Sequence, residues 1–276
     1  IEDPYVRQRT IDELPQASAG RTIMTTEPKF VPKDAVQVNV GGEIPVKIRL
    51  IDCVGYMVDG AAGHLENNTE RMVKTPWFPE EIPFTKAAEL GTHKVIHDHS
   101  TIGIVVTCDG SFGDIPAENY RPAEERTIEE LKKLGKPFVI LLNTTRPFSD
   151  HVRKMAEEMY HKYQIPVLPV NCEQLKREDI TMILEQVLLE FPLTEVEYHM
   201  PRWVEMLPLT HPVKQEVIQK GKEMMEQFRV LRDIGVTSVA CEGPALERIK
   251  LDRVALDTGT AIYSVDMGES CYYEML

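Results

Sequence analysis

The feature that most constrains this chain is the run from Val46 to Gly55, an apolar strand that ends in Asp-x-x-Gly. In nucleotide-hydrolysing switch proteins, an aspartate at the end of such a strand holds Mg²⁺ through water. The glycine leaves room for its N–H to approach the terminal phosphate. We therefore predict Asp52 as a catalytic and Mg²⁺-binding residue and Gly55 as a nucleotide-binding residue. An ordinary strand-to-turn junction is the alternative that the motif alone leaves open.

The residues upstream of this motif narrow the choice. The segment from Ala35 to Val40 alternates in polarity, two glycines at 41–42 form a turn, and a second strand returns from Ile44 to Ile51, which predicts a β-hairpin. A threonine-rich loop with Thr25 and Thr26 precedes it. In switch NTPases a loop threonine completes the Mg²⁺ shell and senses the γ-phosphate. We predict both threonines as catalytic sensors and Thr25 as a metal ligand; a hydroxyl-stabilised turn is the alternative.

From Thr101 onwards, short apolar runs alternate with amphipathic helical patterns. The predicted strands are Ile102–Thr107, Phe138–Leu142 and Pro166–Val170, and the predicted helices are Ala123–Leu134, Ser149–Tyr163 and Ile180–Phe191. Continuous apolar strands between helices are typical of a parallel sheet that is covered on both faces. The two prolines of the third strand favour an edge position. The fold prediction is an α/β, doubly wound, mainly parallel sheet of the phosphate-loop NTPase type.

The pattern changes after Pro192, and a second, smaller α/β domain is predicted. A helix is expected over residues 213–234, followed by short strands at 255–258 and 261–265. We place the NTPase domain at residues 1–198, without its first strand and phosphate loop, and a partial domain at residues 199–276. Residues 56–83 are predicted to be a long irregular loop in the place of the second switch, where Trp77 and Phe78 suggest a docking surface. A loop folded over its own domain is the alternative.

Composition excludes several classes of function. The chain has 276 residues, is 42% hydrophobic and carries a net charge of −13, which argues against binding to nucleic acid or directly to anionic lipid. No apolar run reaches the length of a membrane span, and no signal-peptide pattern opens the chain. Its five cysteines are far apart and form no C-x-x-C pair, which predicts reduced thiols in a cytosolic protein.

Three histidines resemble a metal cluster, but their spacing favours a solvated helix face. His93 and His97 lie four residues apart, and His99 follows. The glutamate of the H-E-x-x-H motif is missing, and both helical histidines fall opposite the apolar face. We predict that these side chains are exposed and hold no zinc.

A switch NTPase also needs the phosphate loop G-x-x-x-x-G-K-[ST], and this chain has none. Gly20-Arg-Thr22 mimics only its end, and Gly135-Lys136 is followed by proline. In the expected fold, the phosphate-loop strand lies between the Asp-x-x-Gly strand and the Ile102 strand. Without it, two strand edges inside the core would be unpaired. We therefore expect further residues before Ile1.

Several motifs resemble those of the stage IV sporulation protein A family. They are Asp12-Glu-Leu-Pro-Gln, Thr22-Ile-Met-Thr-Thr-Glu-Pro-Lys-Phe-Val-Pro32, Asp52-Cys-Val-Gly-Tyr56, Thr75-Pro-Trp77, His99-Ser-Thr-Ile-Gly103 and Leu231-Arg-Asp233. The resemblance implies an ATPase related to translation-factor GTPases, which polymerises on the forespore surface, in the mother-cell cytoplasm, as the base of the spore coat. It implies ATP and Mg²⁺ as cofactors. Its implied partners are further copies of the same protein, a small amphipathic membrane peptide and other coat proteins. The family's phosphate loop would precede Ile1, and its C-terminal region would follow Leu276.

One motif bears on the base of the nucleotide. GTPases read guanine with Asn-Lys-x-Asp after the strand that corresponds to Phe138–Leu142, and the aspartate accepts two guanine N–H bonds. Here the motif reads Asn143-Thr-Thr-Arg146. A donor at residue 146 leaves the guanine N–H groups unmatched. We predict Asn143 as a nucleotide-binding residue and ATP as the nucleotide.

The functional prediction is an ATP-hydrolysing, self-assembling scaffold, with ATP·Mg²⁺ at the C-terminal edge of the parallel sheet. Two alternatives remain open: a scaffold that binds ATP without turnover, and a GTPase of the translation-factor class. The sequence does not identify a residue that positions the attacking water, because Tyr56 follows Gly55 where a glutamine would be expected.

Overall fold

The computed structural model of the chain describes residues 4–12, 28–40, 44–75, 77–236, 239–240, 245–255 and 258–268. The chain divides into two compact units, residues 1–187 and residues 188–276. None of the helices in these ranges combines the length and the apolar content that a membrane crossing requires.

The first unit begins with a helix and a hairpin. Two short strand pairs and a second helix follow and lead into the parallel sheet. Its first eight elements are α1 (Pro4–Asp12), β1 (Lys29–Val40), β2 (Ile44–Asp52), β3 (Leu65–Glu66), β4 (Thr69–Glu70), β5 (Met72–Thr75), β6 (Phe78–Pro83) and α2 (Phe84–Lys94). A π-helical turn, Val95–His99, extends α2. β1 and β2 pair antiparallel, which confirms the predicted hairpin. The pairs β3–β4 and β5–β6 are antiparallel as well, so the irregular loop predicted over residues 56–83 is replaced by short strand pairs from Leu65 onwards.

The parallel sheet of the first unit has three strands among the described residues. It is built from β7 (Gly103–Cys108), β8 (Phe138–Asn143) and β9 (Val167–Val170), which alternate with α3 (Ala117–Lys133), α4 (Asp150–Tyr163) and α5 (Arg177–Leu189). The strand order is β7-β8-β9, and both pairings are parallel. The α/β class is thereby confirmed, and β9 lies at an edge as its prolines indicated.

Helices pack on both faces of the central strand β8 because this strand is apolar on both sides. On one face, Ile128 and Leu131 of α3 pack against Val105 and Ile140. On the other face, a second cluster is completed by α5, and its buried members are Val139, Leu141, Val170, Ile183 and Val187. Each fully buried aliphatic side chain of this kind contributes about 1.5–3 kcal/mol relative to an exposed one. β8 is therefore the central strand of the hydrophobic core.

Residues at the helix ends mark where α3 ends and where α4 begins, as their types in the sequence indicate. Gly135 has φ +63°, and its N–H bonds to the carbonyl of Lys132 while the N–H of Lys136 bonds to that of Leu131. This paired arrangement is the Schellman motif, which glycine stabilises because it tolerates a positive φ. Ser149 caps α4, since its hydroxyl accepts a hydrogen bond from the N–H of Val152.

The second unit is a mixed four-stranded sheet with one long helix. Its elements are β10 (Glu195–His199), α6 (Arg202–Glu205), α7 (Pro212–Gln227), a 3₁₀ turn (Leu231–Val236), β11 (Val239–Ala240), β12 (Leu246–Ala255) and β13 (Thr260–Met267). The strand order is β10-β13-β12-β11, and only the pairing of β10 with β13 is parallel. β12 ends at Ala255, where the sequence predicted that a strand begins, and the helix that was expected to reach residue 234 ends at Gln227.

The division between the units lies earlier than the predicted boundary at residue 198. Residue 198 falls inside β10, whose backbone pairs with β13 over Glu195–His199. The first compact unit ends at Val187, and the second begins at Leu188. A strand belongs with the sheet that satisfies its hydrogen bonds, and β13 lies 60 or more residues further along the chain, beyond the reach of a local sequence pattern.

Candidate functional site

Asp52 ends β2 and is partly exposed. Partial burial raises its pKa above the ordinary value, and the N–H of Cys53 opposes this shift by donating a hydrogen bond to the carboxylate. No ion pair joins Asp52 to any residue that the structure describes. A carboxylate with a raised pKa and no cationic partner would be stabilised by a bound cation. The chemistry of Asp52 therefore fits a metal ligand, which remains a prediction.

Gly55 follows in a backbone conformation that favours glycine. Its φ is +79°, and no other described atom lies within 4 Å of the position that a Cβ would take. The need for glycine here thus comes from the left-handed φ and not from crowding by the protein. The Gly55 N–H faces the sulfur of Cys53, whose pKa is raised mainly by burial and less by the nearby Asp52.

Tyr56 is turned into the core, although it occupies the place where a water-positioning residue was sought. Its side chain is only 7% exposed, and its hydroxyl donates to Oε1 of Glu130 over 2.5 Å. The guanidinium of Arg126 covers the ring at 3.9 Å from the centroid and also pairs with Glu89 at 2.6 Å. Burial and then Glu130 raise the pKa of Tyr56 well above its usual range. The hydroxyl of Tyr56 is thus bonded to Glu130 inside the core.

Asn143 ends β8 at the carboxyl edge of the parallel sheet. Its Oδ1 accepts a hydrogen bond from the backbone N–H of Cys172 over 3.0 Å. This bond ties the loop after β8 to the loop after β9, so Asn143 braces two loops at the edge where open α/β sheets bind ligands. The bond uses Oδ1 and leaves the side-chain NH₂ group out, so the predicted contact of Asn143 with a nucleotide stays a prediction.

A second connection at the same edge joins the loops after β7 and β8. Thr144 is fully buried and donates its hydroxyl hydrogen to Oδ2 of Asp109 over 2.5 Å. Asp109 also accepts from the N–H of Ser111, and the hydroxyl of Ser111 accepts from the N–H of Thr145 over 2.9 Å. Partial burial works against ionisation of Asp109, but these hydroxyl and N–H donors outweigh it and lower its pKa. The sequence prediction missed this pair; an aspartate after one strand and a threonine after the next is its only signal.

The described contacts of Asp52 and Asn143 belong to different sheets. Asp52 pairs with Lys29 across the hairpin, and the neighbouring Phe30 has its ring centroid 5.6 Å from that of His99. Asn143 ends β8 at the carboxyl edge of the parallel sheet. The single cleft that was predicted around these two residues therefore stays a prediction.

The described strand pairings do not set the position of Asp52 relative to Asn143. Among the described strands, β2 pairs only with β1, and one edge of β7 has no partner. In the predicted fold, the strand that carries the phosphate loop stands between β2 and β7. Without that strand, no backbone hydrogen bonds set the register of β2 against the parallel sheet. Thr25 and Thr26 lie outside the described residues, so their predicted roles stay predictions.

Lys136 has a role that the sequence prediction did not find. Its ammonium group donates to the carbonyl oxygens of Ile96, His97 (3.0 Å) and Ser100 (2.7 Å) at the end of the α2 extension. These carbonyls have no further helical turn to bond to, and a cation at a helix C-terminus is favourable. Lys136 is therefore a cap, and its resemblance to a phosphate-loop lysine is limited to the preceding glycine.

The described residues contain no group of three or more side chains that could hold a metal ion. His93, His97 and His99 are exposed as predicted, and the rings of His93 and His97 stack with centroids 3.9 Å apart. A Mg²⁺ site that completes its shell with water and nucleotide phosphates does not require such a group.

Comparison with known proteins gives a match along the whole chain. Residues 1–192 match the family model described as the ATPase domain of stage IV sporulation protein A, and residues 193–276 match its middle domain. The chain is 44% identical to stage IV sporulation protein A of Bacillus subtilis (strain 168) and 43% identical to that of Clostridioides difficile (strain 630). Both alignments cover all of this chain and 56% of the relative.

The protein of the same name from Bacillus anthracis is 43% identical over 97% of this chain and 54% of its own length. The chain thus spans about half the length of the curated relatives it matches. No solved structure matches it.

Proposed function

The chain belongs to the stage IV sporulation protein A family, and from this premise we propose that it forms the nucleotide-binding and middle portions of an ATP-hydrolysing, self-assembling scaffold at the base of the spore coat. The observation that carries the proposal is the match of residues 1–192 to the family's ATPase domain. The parallel sheet of the first unit, with loops braced at its carboxyl edge, supports the same function.

The uncovered side of β7 supports a phosphate-loop fold. Ile104 is 39% and Val106 is 60% exposed, although both are strand residues next to the buried β8. A parallel sheet is normally covered on both faces. An additional strand and helix against β7 would satisfy its edge and cover these side chains. This is the position that the phosphate-loop strand and its helix occupy in the fold predicted from sequence.

ATP·Mg²⁺ would bind at the carboxyl edge of this sheet. Bound Mg²⁺ would neutralise charge that develops on the transferring phosphoryl group. Asp52 is the described residue whose chemistry fits the metal, and the N–H of Gly55 would face the γ-phosphate. Arg146, exposed after β8, disfavours guanine for the reason given from sequence.

Hydrolysis would act as the assembly switch. Thr25 and Thr26 would contact the γ-phosphate only before its cleavage, so their loop would differ between the two nucleotide states. We place the protein in the mother-cell cytoplasm at the forespore surface. Its partners would be other copies of itself, a small amphipathic membrane peptide and further coat proteins.

A scaffold that binds ATP without turnover is the second candidate. Its supporting observation is the position of Tyr56, which is held in the core where switch NTPases place a residue near the attacking water. The two candidates share a binding site and differ in whether phosphate is released.

The test is phosphate release by the full-length protein, with ATP and GTP compared at equal concentration and with Mg²⁺ removed as the control. Mg²⁺-dependent release from ATP, with little competition by GTP, supports the proposal. Tight ATP binding without release selects the second candidate, and preference for GTP contradicts both. The 276 residues alone should release no phosphate, because the phosphate-loop lysine and hydroxyl supply most of the charge stabilisation.

Assembly is tested by sedimentation of the full-length protein with ATP, with a non-hydrolysable analogue, and after Thr25→Ala with Thr26→Ala. The double variant should bind ATP but form less polymer. Equal polymer under all three conditions would show that the nucleotide is not the assembly switch.

A further inference from the structure

Phe148 is an aromatic side chain whose exposure the fold does not explain. It is 84% exposed, directly before Ser149, the N-cap of α4. An apolar residue at this position often packs against the fourth residue of the helix, in an arrangement called the hydrophobic staple. Here the fourth residue is Arg153, and the high exposure of Phe148 shows that no staple forms. Its ring is therefore presented to solvent and not used for folding.

The backbone that carries Phe148 is held in place on both sides. The N–H of Ser149 bonds to the carbonyl of Arg146 over 3.1 Å, which closes a turn around residues 147 and 148. Pro147 restricts the turn further because its ring fixes φ. On the other side, the N–H of Arg146 bonds to the hydroxyl of Thr144, which is itself anchored on Asp109. An aromatic ring on a braced turn loses little conformational freedom when it binds a ligand.

The turn belongs to the carboxyl edge of the parallel sheet. It begins three residues after Asn143, whose side chain braces the loop after β9. Thr144 is buried and Oδ1 of Asn143 is bonded, so neither offers a wide contact surface to a ligand. Arg146 and Phe148 are exposed on the same turn. The accessible chemistry of this loop is thus a guanidinium and an aromatic face.

This pair suits a flat aromatic base better than a protein partner. A base stacks on an aromatic ring and on a guanidinium plane, and such stacking tolerates different bases. A protein interface would need a contiguous apolar patch. Apart from Pro147, the neighbours of Phe148 on the turn and at the start of α4 are polar, namely Thr145, Arg146, Ser149 and Asp150. A single ring among polar side chains matches the size of one base.

We infer that Phe148 stacks on the base of the nucleotide bound at the carboxyl edge and that Arg146 lies beside the same base. This inference rests on the proposed function and adds the residue that contacts the adenine. Asn143 then holds the loop in position, while stacking supplies binding energy that does not depend on a guanine-reading aspartate. Phe148 affects the affinity for a base and not the affinity for phosphates.

The experiment measures binding by the full-length protein of a non-hydrolysable ATP analogue and of inorganic tripolyphosphate, which has no base. Phe148→Ala should bind the analogue about tenfold more weakly, the range expected for the loss of one base–aromatic stack. Its affinity for tripolyphosphate should not change. Phe148→Tyr should retain most of the affinity for the analogue. Met206→Ala is the control, because Met206 is equally exposed, at 85%, but lies in the second unit.

Each outcome decides the inference. If the unaltered protein does not bind the analogue, the proposed function fails and the inference fails with it. If the unaltered protein binds and Phe148→Ala binds equally well, the function stands and the stacking role is overturned. Equal losses for the analogue and tripolyphosphate would show that Phe148 acts on the whole loop and not on the base, which overturns the inference. Normal nucleotide binding together with lost sedimentation would identify Phe148 as a protein contact, which also overturns the inference.

Discussion

The hydroxyl of Tyr56 donates to Oε1 of Glu130 over 2.5 Å, and this bond fastens the residue after Asp-x-x-Gly to the helix α3. The same helix receives a second phenol from the other side, since the hydroxyl of Tyr163 donates to Oε1 of Glu124 over 2.8 Å. Both tyrosines are buried in one hydrophobic cluster with Val105. The helix thus has two similar bonds, one next to the predicted switch and one at the end of α4.

These two bonds give a matched comparison of stability. Tyr56→Phe removes a hydroxyl and keeps the ring, so we expect the free energy of unfolding to fall by about 1 kcal/mol, the usual net value of one hydrogen bond. Tyr163→Phe should cost about the same. Denaturant unfolding of each variant measures this. A Tyr56→Phe protein as stable as the parent would contradict the bond to Glu130.

Alkaline pH should weaken the first unit through the same residues. Burial, and next the bond to Glu124, raises the pKa of Tyr163 to about 12, and burial raises the pKa of Tyr56 as well. A raised pKa means that the folded state holds the phenol proton more tightly than the unfolded state. Their contribution is therefore complete below the unfolded pKa of about 10 and is lost as the pH rises toward the folded value.

The measurement is the unfolding midpoint between about pH 8 and about pH 11. The parent should lose stability over this range, and the double variant Tyr56→Phe with Tyr163→Phe should lose less, because it has no such protons to release. The same slope in both proteins would show that other groups cause the alkaline loss.

The second unit contains a buried carboxylate, Glu190, and one arginine should stabilise its charge. Nη1 of Arg232 lies 3.1 Å from Oε1 of Glu190, whose side chain is buried. Burial raises the pKa of Glu190, and Arg232 opposes the shift. Arg232→Met should destabilise the unit by about 2 kcal/mol near neutral pH, since it leaves a buried charge unpaired and Arg232 is itself partly exposed.

The sign of the pH dependence follows from the raised pKa. The folded state holds the Glu190 proton more tightly, so the penalty is absent below the unfolded pKa of about 4.3 and grows as the pH rises through the folded value. Thermal unfolding at about pH 5 and about pH 7.5 should show a smaller effect of Arg232→Met at the lower pH. Adding Glu190→Gln should abolish the difference; if the difference persists, Glu190 is not its source.

In the full-length protein, Asp52→Ala should reduce ATP hydrolysis by about tenfold or more and ATP binding by less. The metal matters most as charge develops on the phosphoryl group in the transition state. Asp59→Ala is a suitable control, because Asp59 is also exposed and lies in the same segment. A hydrolysis rate within about threefold of the parent, about 0.7 kcal/mol at the barrier, would make Asp52 a structural residue.

Much of the local structure could be predicted because it depends on neighbouring residues. The hairpin follows from alternation around a glycine pair, and the end of α3 follows from Gly135, which takes a left-handed φ. The strand–helix alternation after Thr101 likewise follows from periodicity. The strands within residues 56–83 were harder to predict, because pairs as short as β3–β4 leave no periodic pattern in the sequence.

At the candidate site, local sequence patterns predict the types of residue but not which residues lie close to one another. The residue types at Asp52, Gly55 and Asn143 indicated nucleotide chemistry, and the family match supports that interpretation. Their positions depend on which strands pair, and among the described strands β2 pairs with β1 alone. The bond of Thr144 to Asp109 and the cap by Lys136 join residues about 35 positions apart. The sequence around one partner of each bond does not predict the other partner.

The sequence by itself determined the α/β class, most element types and the chemistry carried by each motif, because periodicity, turns and caps act over a few residues. Only the tertiary structure decided that Tyr56 is bonded to α3, that Phe148 remains exposed, and that Thr144 is bonded to Asp109. These outcomes depend on burial and on hydrogen bonds between distant segments. Such contacts form only when the whole unit packs, since each must outweigh the entropy of ordering both segments.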